Sequence, residues 1–256
     1  AQSVASTAIR RRIVQAGRRI IEMATENTDA EEVVDTCESL LYAARGKDGG
    51  DGPVPLRDLL RDAQKRIDDA HSGKTQFTLK THLDKLNDVI IGLAPGTFNI
   101  LAARPGVGKT ALALEIAMHA AKEHRVAFFS VEMGKPELVD RLLSSTSRVP
   151  LTNLRAGKVT EPEQVYLHNA VATLAESYLH IDDSSSTMSE IHRKVRRLAS
   201  RGPLGLVVID YIQLLGIGRG KYKEESRQNE VAAISRQIKL MSREFGLPVL
   251  GLSQLN

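Results

Sequence analysis

The stretch Ala103–Thr110, ARPGVGKT, constrains this 256-residue chain more than any other feature. It follows an apolar run and precedes an apolar helical segment, the strand–loop–helix setting of a phosphate-binding P-loop. Gly106 and Gly108 let the backbone curl so that successive N–H groups and the helix N-terminus surround phosphate oxygens. Lys109 then reaches the β and γ phosphates, and the Thr110 hydroxyl ligates Mg²⁺. Arg104, Pro105, Val107 and Ala111 lie within or beside the same loop and are counted with the phosphate-binding set. The strict pattern opens on Gly; Ala103 stands there instead.

From about Thr75 onward, apolar runs alternate with helical segments, which predicts an α/β fold with a mostly parallel sheet and helices on both faces. The expected strands are Phe98 to Ala103, Val126 to Val131, Tyr178 to Ile181, Leu206 to Ile212 and Pro248 to Leu252. Helices are expected near 110–123, 136–147, 161–176, 188–201 and 226–245, with a capping box at Thr187 and Glu190. In LVVIDY, Asp210 closes an apolar strand at the edge where ligands bind, which reads as Walker B holding Mg²⁺. Hydrolysis also requires a carboxylate on the attacking water, and Tyr211 stands where a neighbouring Glu would serve. Glu132, at the end of VAFFSVEM, is therefore the candidate base; the alternative is a solvated strand-end glutamate. Gln254, at the end of PVLGLSQLN, is placed to sense a γ-phosphate, the alternative being a turn residue.

The N-terminal part differs. Apolar positions at Ile9, Ile13, Ile20 and Ala24 predict an amphipathic helix, and a break at Glu26 to Asp29 predicts a hairpin with a second helix through Ala44. Residues 45–55, RGKDGGDGPVP, read as a linker. Leu56, Leu59, Leu60, Ala63 and Ile67 then form a narrow apolar stripe on a short charged helix, of the kind that docks on a neighbouring domain or subunit.

Composition excludes whole classes. With 42% hydrophobic and 26% charged residues, neither a disordered nor a collagen-like chain fits. No run of about 18 apolar residues and no signal-peptide pattern is visible, so a cytoplasmic protein without membrane contact is expected. Cys37 is the single cysteine, which rules out an internal disulfide, and it reads as a small buried apolar group. The net charge of +4 is compatible with a polyanion, but Trp is absent, so nucleic-acid contact would rest on phosphates more than on stacking. The segment GIGRGKYKEESR, with Arg219, Lys221, Lys223 and Arg227, reads either as a DNA contact or as an ordinary exposed loop. The basic run Arg193, Lys194, Arg196, Arg197 and Arg201 reads as a solvated helix face.

The ordered set ARPGVGKT, FFSVEM, VVIDYIQLL and LSQLN, preceded by LDKLNDVIIGLAPG, resembles the bacterial and phage DnaB-type replicative helicases, which are RecA-like ATPases. The resemblance covers nearly the whole chain. It implies a RecA-like core over 75–256, the end of an N-terminal domain over 1–44 and a linker with its helix over 45–74. It further implies ATP-driven 5′ to 3′ translocation on single-stranded DNA by a ring hexamer, with primase and a helicase loader as partners, in a bacterial or phage-infected cytoplasm. Lys109, Thr110, Glu132, Asp210 and Gln254 match the family's phosphate, Mg²⁺, base, Walker B and sensor positions, and Arg141 matches an arginine near the nucleotide, a solvated helix residue being the other reading. THLDKLND lacks the Gly and aromatic residue usual before its Leu-Asp pair, which leaves the local packing open. The start without Met and the end at Asn256, ahead of the family's arginine finger and further DNA-binding loops, lead us to expect a piece of a longer protein. A recombinase or filament ATPase, and a nucleotide-stabilised binding module without motor activity, are the rival expectations.

Overall fold

Val126-Ala-Phe-Phe and Leu206-Val-Val-Ile are apolar at successive positions, which suits strands buried on both faces. The computed structural model describes residues 2–25, 36, 37, 40, 54–72, 78–215 and 227–255. Its chain divides into two units, Ala1–Ser72 and Gly73–Asn256. In the second unit lie β1 (Phe98–Ala103), β2 (Arg125–Ser130), β3 (Leu179–Asp182), β4 (Leu204–Asp210) and β5 (Val249–Gln254), which form one sheet of order β1-β5-β4-β2-β3. Every neighbouring pair is parallel.

The described helices are α1 (Gln2–Thr25) and α2 (Leu56–His71) in the first unit. The second unit carries α3 (Asp84–Ile90), α4 (Lys109–Ala120), α5 (Lys135–Ser147), α6 (Leu151–Ala156), α7 (Glu161–Ala175), α8 (Met188–Ala199) and α9 (Arg227–Phe245). Because successive strand residues face opposite ways, the sheet feeds two cores. Val126, Phe128, Leu206 and Val208 join Ala113 and Ala117 of α4 and Leu138 of α5 on one face. Ala127, Phe129, Val207 and Ile209 join Ile191 of α8 and Ile234 and Ile238 of α9 on the other.

Most elements fall within two residues of their expected bounds. The widest difference is at α4, which ends at Ala120 rather than near 123, and a two-residue one with a visible cause is at the end of β4, expected to run to Ile212. The strand stops at Asp210 and a 3₁₀ turn, Ile212–Leu214, follows. Ile212 is apolar because that turn folds back over the sheet: its Cδ1 would lie 2.5 Å from a Cβ at Gly251, and Phe98 Cε2 would lie 2.7 Å away, so only glycine fits in β5 at that point. Helices α3 and α6 are too short for a 3.6-residue pattern to show. At α3, where the sequence left the local packing open, a polar clasp forms. Asn87 Oδ1 accepts from the Thr81 N–H at 2.9 Å and from its hydroxyl at 2.8 Å, while Asn87 Nδ2 donates to Thr81 O at 2.8 Å. Thr81 is accordingly buried.

The expected capping box is present, with the Glu190 N–H donating to Thr187 Oγ1 and the Thr187 N–H to Glu190 Oε2. Just before it, Asp182 at the end of β3 accepts from the Ser185 N–H and hydroxyl and from Lys194 Nζ of α8 at 2.7 Å. Burial acts to raise this carboxyl's pKa, but the Lys194 and Ser185 hydrogen bonds outweigh it and hold the group at about 2 against an ordinary 3.8. The fold thus binds this proton more weakly than the unfolded chain does. The stabilisation is full above the unfolded value and is lost as pH falls through about 2. Asp182→Asn is expected to lower stability by about 2 kcal/mol at pH 7 in urea titrations, the gap narrowing below about pH 4. An equal gap at pH 7 and pH 3 would refute this account.

In the first unit, α1 buries Ala16. Thr36, Cys37 and Leu40 are helical and Cys37 is half-buried, whereas the remainder of the expected second helix and residues 45–53 of the linker lie outside the described residues. Helix α2 is flanked by Pro55, whose carbonyl accepts from the Asp58 N–H at 3.0 Å, and by Ser72, whose N–H donates to Asp68 O. None of its residues is buried; Leu56, Leu59, Leu60 and Ile67 of the predicted stripe are all exposed. No helix among the described residues is long and apolar enough to cross a membrane.

Candidate active site

All five strands run the same way, so their C-terminal ends deliver β1's loop, Glu132, Asp210 and Gln254 to one edge of the sheet. After β1 the chain turns through Gly106 at φ 76° and Gly108 at φ 98°, both left-handed. An added Cβ would meet nothing within 4 Å at either position, so the demand for glycine is conformational rather than steric. The turn ends at Lys109, the first residue of α4.

A cavity of about 240 Å³ opens over this loop. Its wall includes Lys109, Thr110, Glu132, Arg141 and Gln254, together with Arg104, Pro105, Gly106, Gly108 and Ala111. Val107, expected with the phosphate-binding set, is 71% exposed and does not line it. Asp210 lies beneath the wall, fully buried.

The Thr110 hydroxyl donates to Asp210 Oδ2 at 2.7 Å, and Lys109 Nζ stands 4.0 Å from Oδ1. Lys109 also sits 4.6 Å from the centre of the Tyr211 ring, a cation–π contact. Burial pushes the Asp210 carboxyl above its ordinary range, against the pull of Thr110 and Lys109. Asp210 Oδ1 is buried without a hydrogen-bond partner. A buried carboxylate oxygen in that condition, beside a hydroxyl whose lone pairs remain free, suits a divalent cation.

Glu132 is exposed on a tight turn after β2. Ser130 Oγ accepts the Met133 N–H at 3.0 Å and donates to Met133 O at 2.7 Å, closing that turn without using the Glu132 side chain. Lys135 anchors the next step, its N–H and Nζ both binding Asp183 at 2.9 and 2.6 Å. Arg141 binds Glu137 at 3.0 Å, and Arg155 of α6 reaches the same carboxylate oxygen at 3.4 Å. Arg141 Nε is buried without a partner beside the cavity.

The basic run on α8 is partly internal: Lys194 pairs with Asp182, and Arg196 pairs with Glu244 of α9 at 3.3 Å. Arg193, Arg197 and Arg201 are exposed, as a solvated face requires. Residues 216–226 of the other basic segment lie outside the described residues. Two residues not singled out for the site from sequence touch its members: Tyr211 lies beneath Lys109 Nζ, and Gln213 binds the Gln254 main chain, the signal for the latter being an amide among apolar neighbours in IQLL, two residues beyond Asp210.

Residues 78–256 match the DnaB-like helicase C-terminal domain. The chain belongs to the DnaB-like helicase family. This DnaB-like chain is 37% identical over 261 residues to the replicative DNA helicase DnaB of Leifsonia xyli subsp. xyli (strain CTCB07), covering 100% of this chain and 56% of that protein. It therefore spans little more than half the length of that relative. A solved DnaB-like replicative helicase, described with its interactions with primase, superposes with TM-score 0.68 at 27% identity, covering 100% of this chain and 60% of that one. A solved ATPase domain superposes with TM-score 0.70 at 28% identity over 80% of this chain and 72% of that one.

Proposed function

We propose that this DnaB-like chain is the ATP-hydrolysing motor of a replicative helicase that moves 5′ to 3′ on single-stranded DNA as a ring hexamer and parts the duplex at a fork. The observation that carries the reading is the gathering of Lys109, Thr110, Glu132, Arg141 and Gln254 around one cavity, above a buried Asp210 with one oxygen that accepts no hydrogen bond. A site that only bound nucleotide would have no use for a carboxylate in the position of Glu132. Residues 1–44 read as the end of an N-terminal domain, 45–74 as linker and linker helix, and 75–256 as the motor. Primase and a helicase loader are the proposed protein partners, in the cytoplasm.

In this reading the loop amides and Lys109 bind the β and γ phosphates. Glu132 accepts the proton of the attacking water, Arg141 offsets negative charge at the phosphates, and Gln254 senses the γ-phosphate. Thr110 and Asp210 would hold Mg²⁺, which when bound neutralises charge on the phosphate oxygens.

The test is ATP hydrolysis by the intact natural protein with and without single-stranded DNA, alongside unwinding of forked duplexes with a 5′ or a 3′ tail. DNA-stimulated turnover and unwinding confined to the 5′-tailed substrate are expected. ATP binding with no stimulated turnover would leave a nucleotide-stabilised binding module instead. Stimulated turnover with filaments and strand exchange but no unwinding would indicate a recombinase-type ATPase.

A further inference from the structure

The β4–β5 ladder stops at Ile209 and Gly251, whereas the β1–β5 ladder continues to Ala103 and Gln254. From Leu252 onward, one edge of β5 therefore has no β4 backbone opposite it. The side-chain amide of Gln213, on the 3₁₀ turn after Asp210, takes that place. Its Nε2 donates to Ser253 Oγ at 2.7 Å and to Gln254 O at 3.1 Å, and its Oε1 accepts the Gln254 N–H at 3.3 Å. A primary amide carries the same donor and acceptor as a peptide group, and this one engages both main-chain groups of a single residue. On the opposite side, the Leu255 N–H donates to Ala103 O at 3.0 Å. Gln254 is thus held between the start of the phosphate-binding loop and the turn that follows Asp210.

We propose that Gln213 is a positioning residue, a substitute for the missing strand that fixes the Gln254 main chain relative to Asp210. The proposal rests on reading Gln254 as the γ-phosphate sensor. Without Gln213 the sensor's side chain starts from a main chain free to shift, and small misplacements of a group acting at the reacting phosphate carry large rate penalties.

The test compares Gln213→Leu, Gln213→Glu and Gln254→Ala in the intact protein, reading kcat and KM for ATP with and without single-stranded DNA. Gln213→Leu is expected to lower DNA-stimulated kcat by about ten- to a hundredfold. KM is expected to stay within about threefold, because the phosphate-binding loop is untouched. Gln213→Glu keeps an acceptor for the Gln254 N–H but loses the donor, and is expected to fall between Gln213→Leu and wild type. Should Gln213→Leu fail to fold, Gln213→Glu carries the comparison. Normal kcat in the Gln213 variants beside a crippled Gln254→Ala overturns the positioning role alone. A change confined to KM or melting temperature does the same, since it marks a merely structural contact. Normal turnover in Gln254→Ala overturns the sensor reading itself, and the positioning role with it.

Discussion

Glu132→Gln is expected to lower kcat for ATP hydrolysis by about 10²- to 10⁴-fold, the range that a positioned proton acceptor contributes. The amide matches the carboxylate in size but cannot take a proton from water at neutral pH. The turn that presents it is closed by Ser130 and the Met133 main chain, so the substitution leaves the scaffold intact. Nucleotide affinity and melting temperature should therefore hold while turnover collapses. Calorimetric ATP binding beside single-turnover hydrolysis separates the two effects. Wild-type turnover in this variant would place the base elsewhere.

The second large effect is on binding. Lys109→Ala is expected to weaken ATP affinity roughly 10- to 150-fold, since a hydrogen bond to a charged partner contributes about 1.5–3 kcal/mol. Two further changes accompany it. The Tyr211 ring loses the cation 4.6 Å from its centre. Asp210 loses a positive charge 4.0 Å away, one of the influences opposing the rise in its pKa caused by burial. Isothermal titration with ATP and Mg²⁺ reads the loss directly; affinity equal to wild type would remove Lys109 from the phosphate site.

The site's main groups are legible in sequence because each sits at the end of an apolar run, and a parallel sheet brings such ends together. Lys109, Glu132, Asp210 and Gln254 needed no coordinates to be singled out, only the rule that ligands bind beyond the carboxyl ends of strands. Val107 lies inside the phosphate-binding stretch with its side chain outward, so any part it takes there falls to its main-chain N–H. Gln213 escapes a linear reading, since its importance depends on where one ladder stops and another continues, and register is invisible in a single chain. The basic run on α8 is ambiguous for a similar reason. The carboxylates that neutralise Lys194 and Arg196 lie 12 and 48 residues away, on β3 and α9. The two-turn helices α3 and α6 escape because a periodic pattern needs more length than they have.

The order of the strands also bears on how the protein is made. β5, the last of the described strands in chain order, is the one inserted between β1 and β4, and among the described strands β1 pairs with β5 alone. Until β5 has been made, the strand that leads into the phosphate-binding loop has no ladder to join among the described strands, and one edge of β4 stands open. β1 is joined to β4 only after Gln254 has left the exit tunnel. Insertion of β5 thus brings the phosphate-binding loop beside Asp210 and covers that edge of β4 in one step, and until then the edge is open to pairing with another chain.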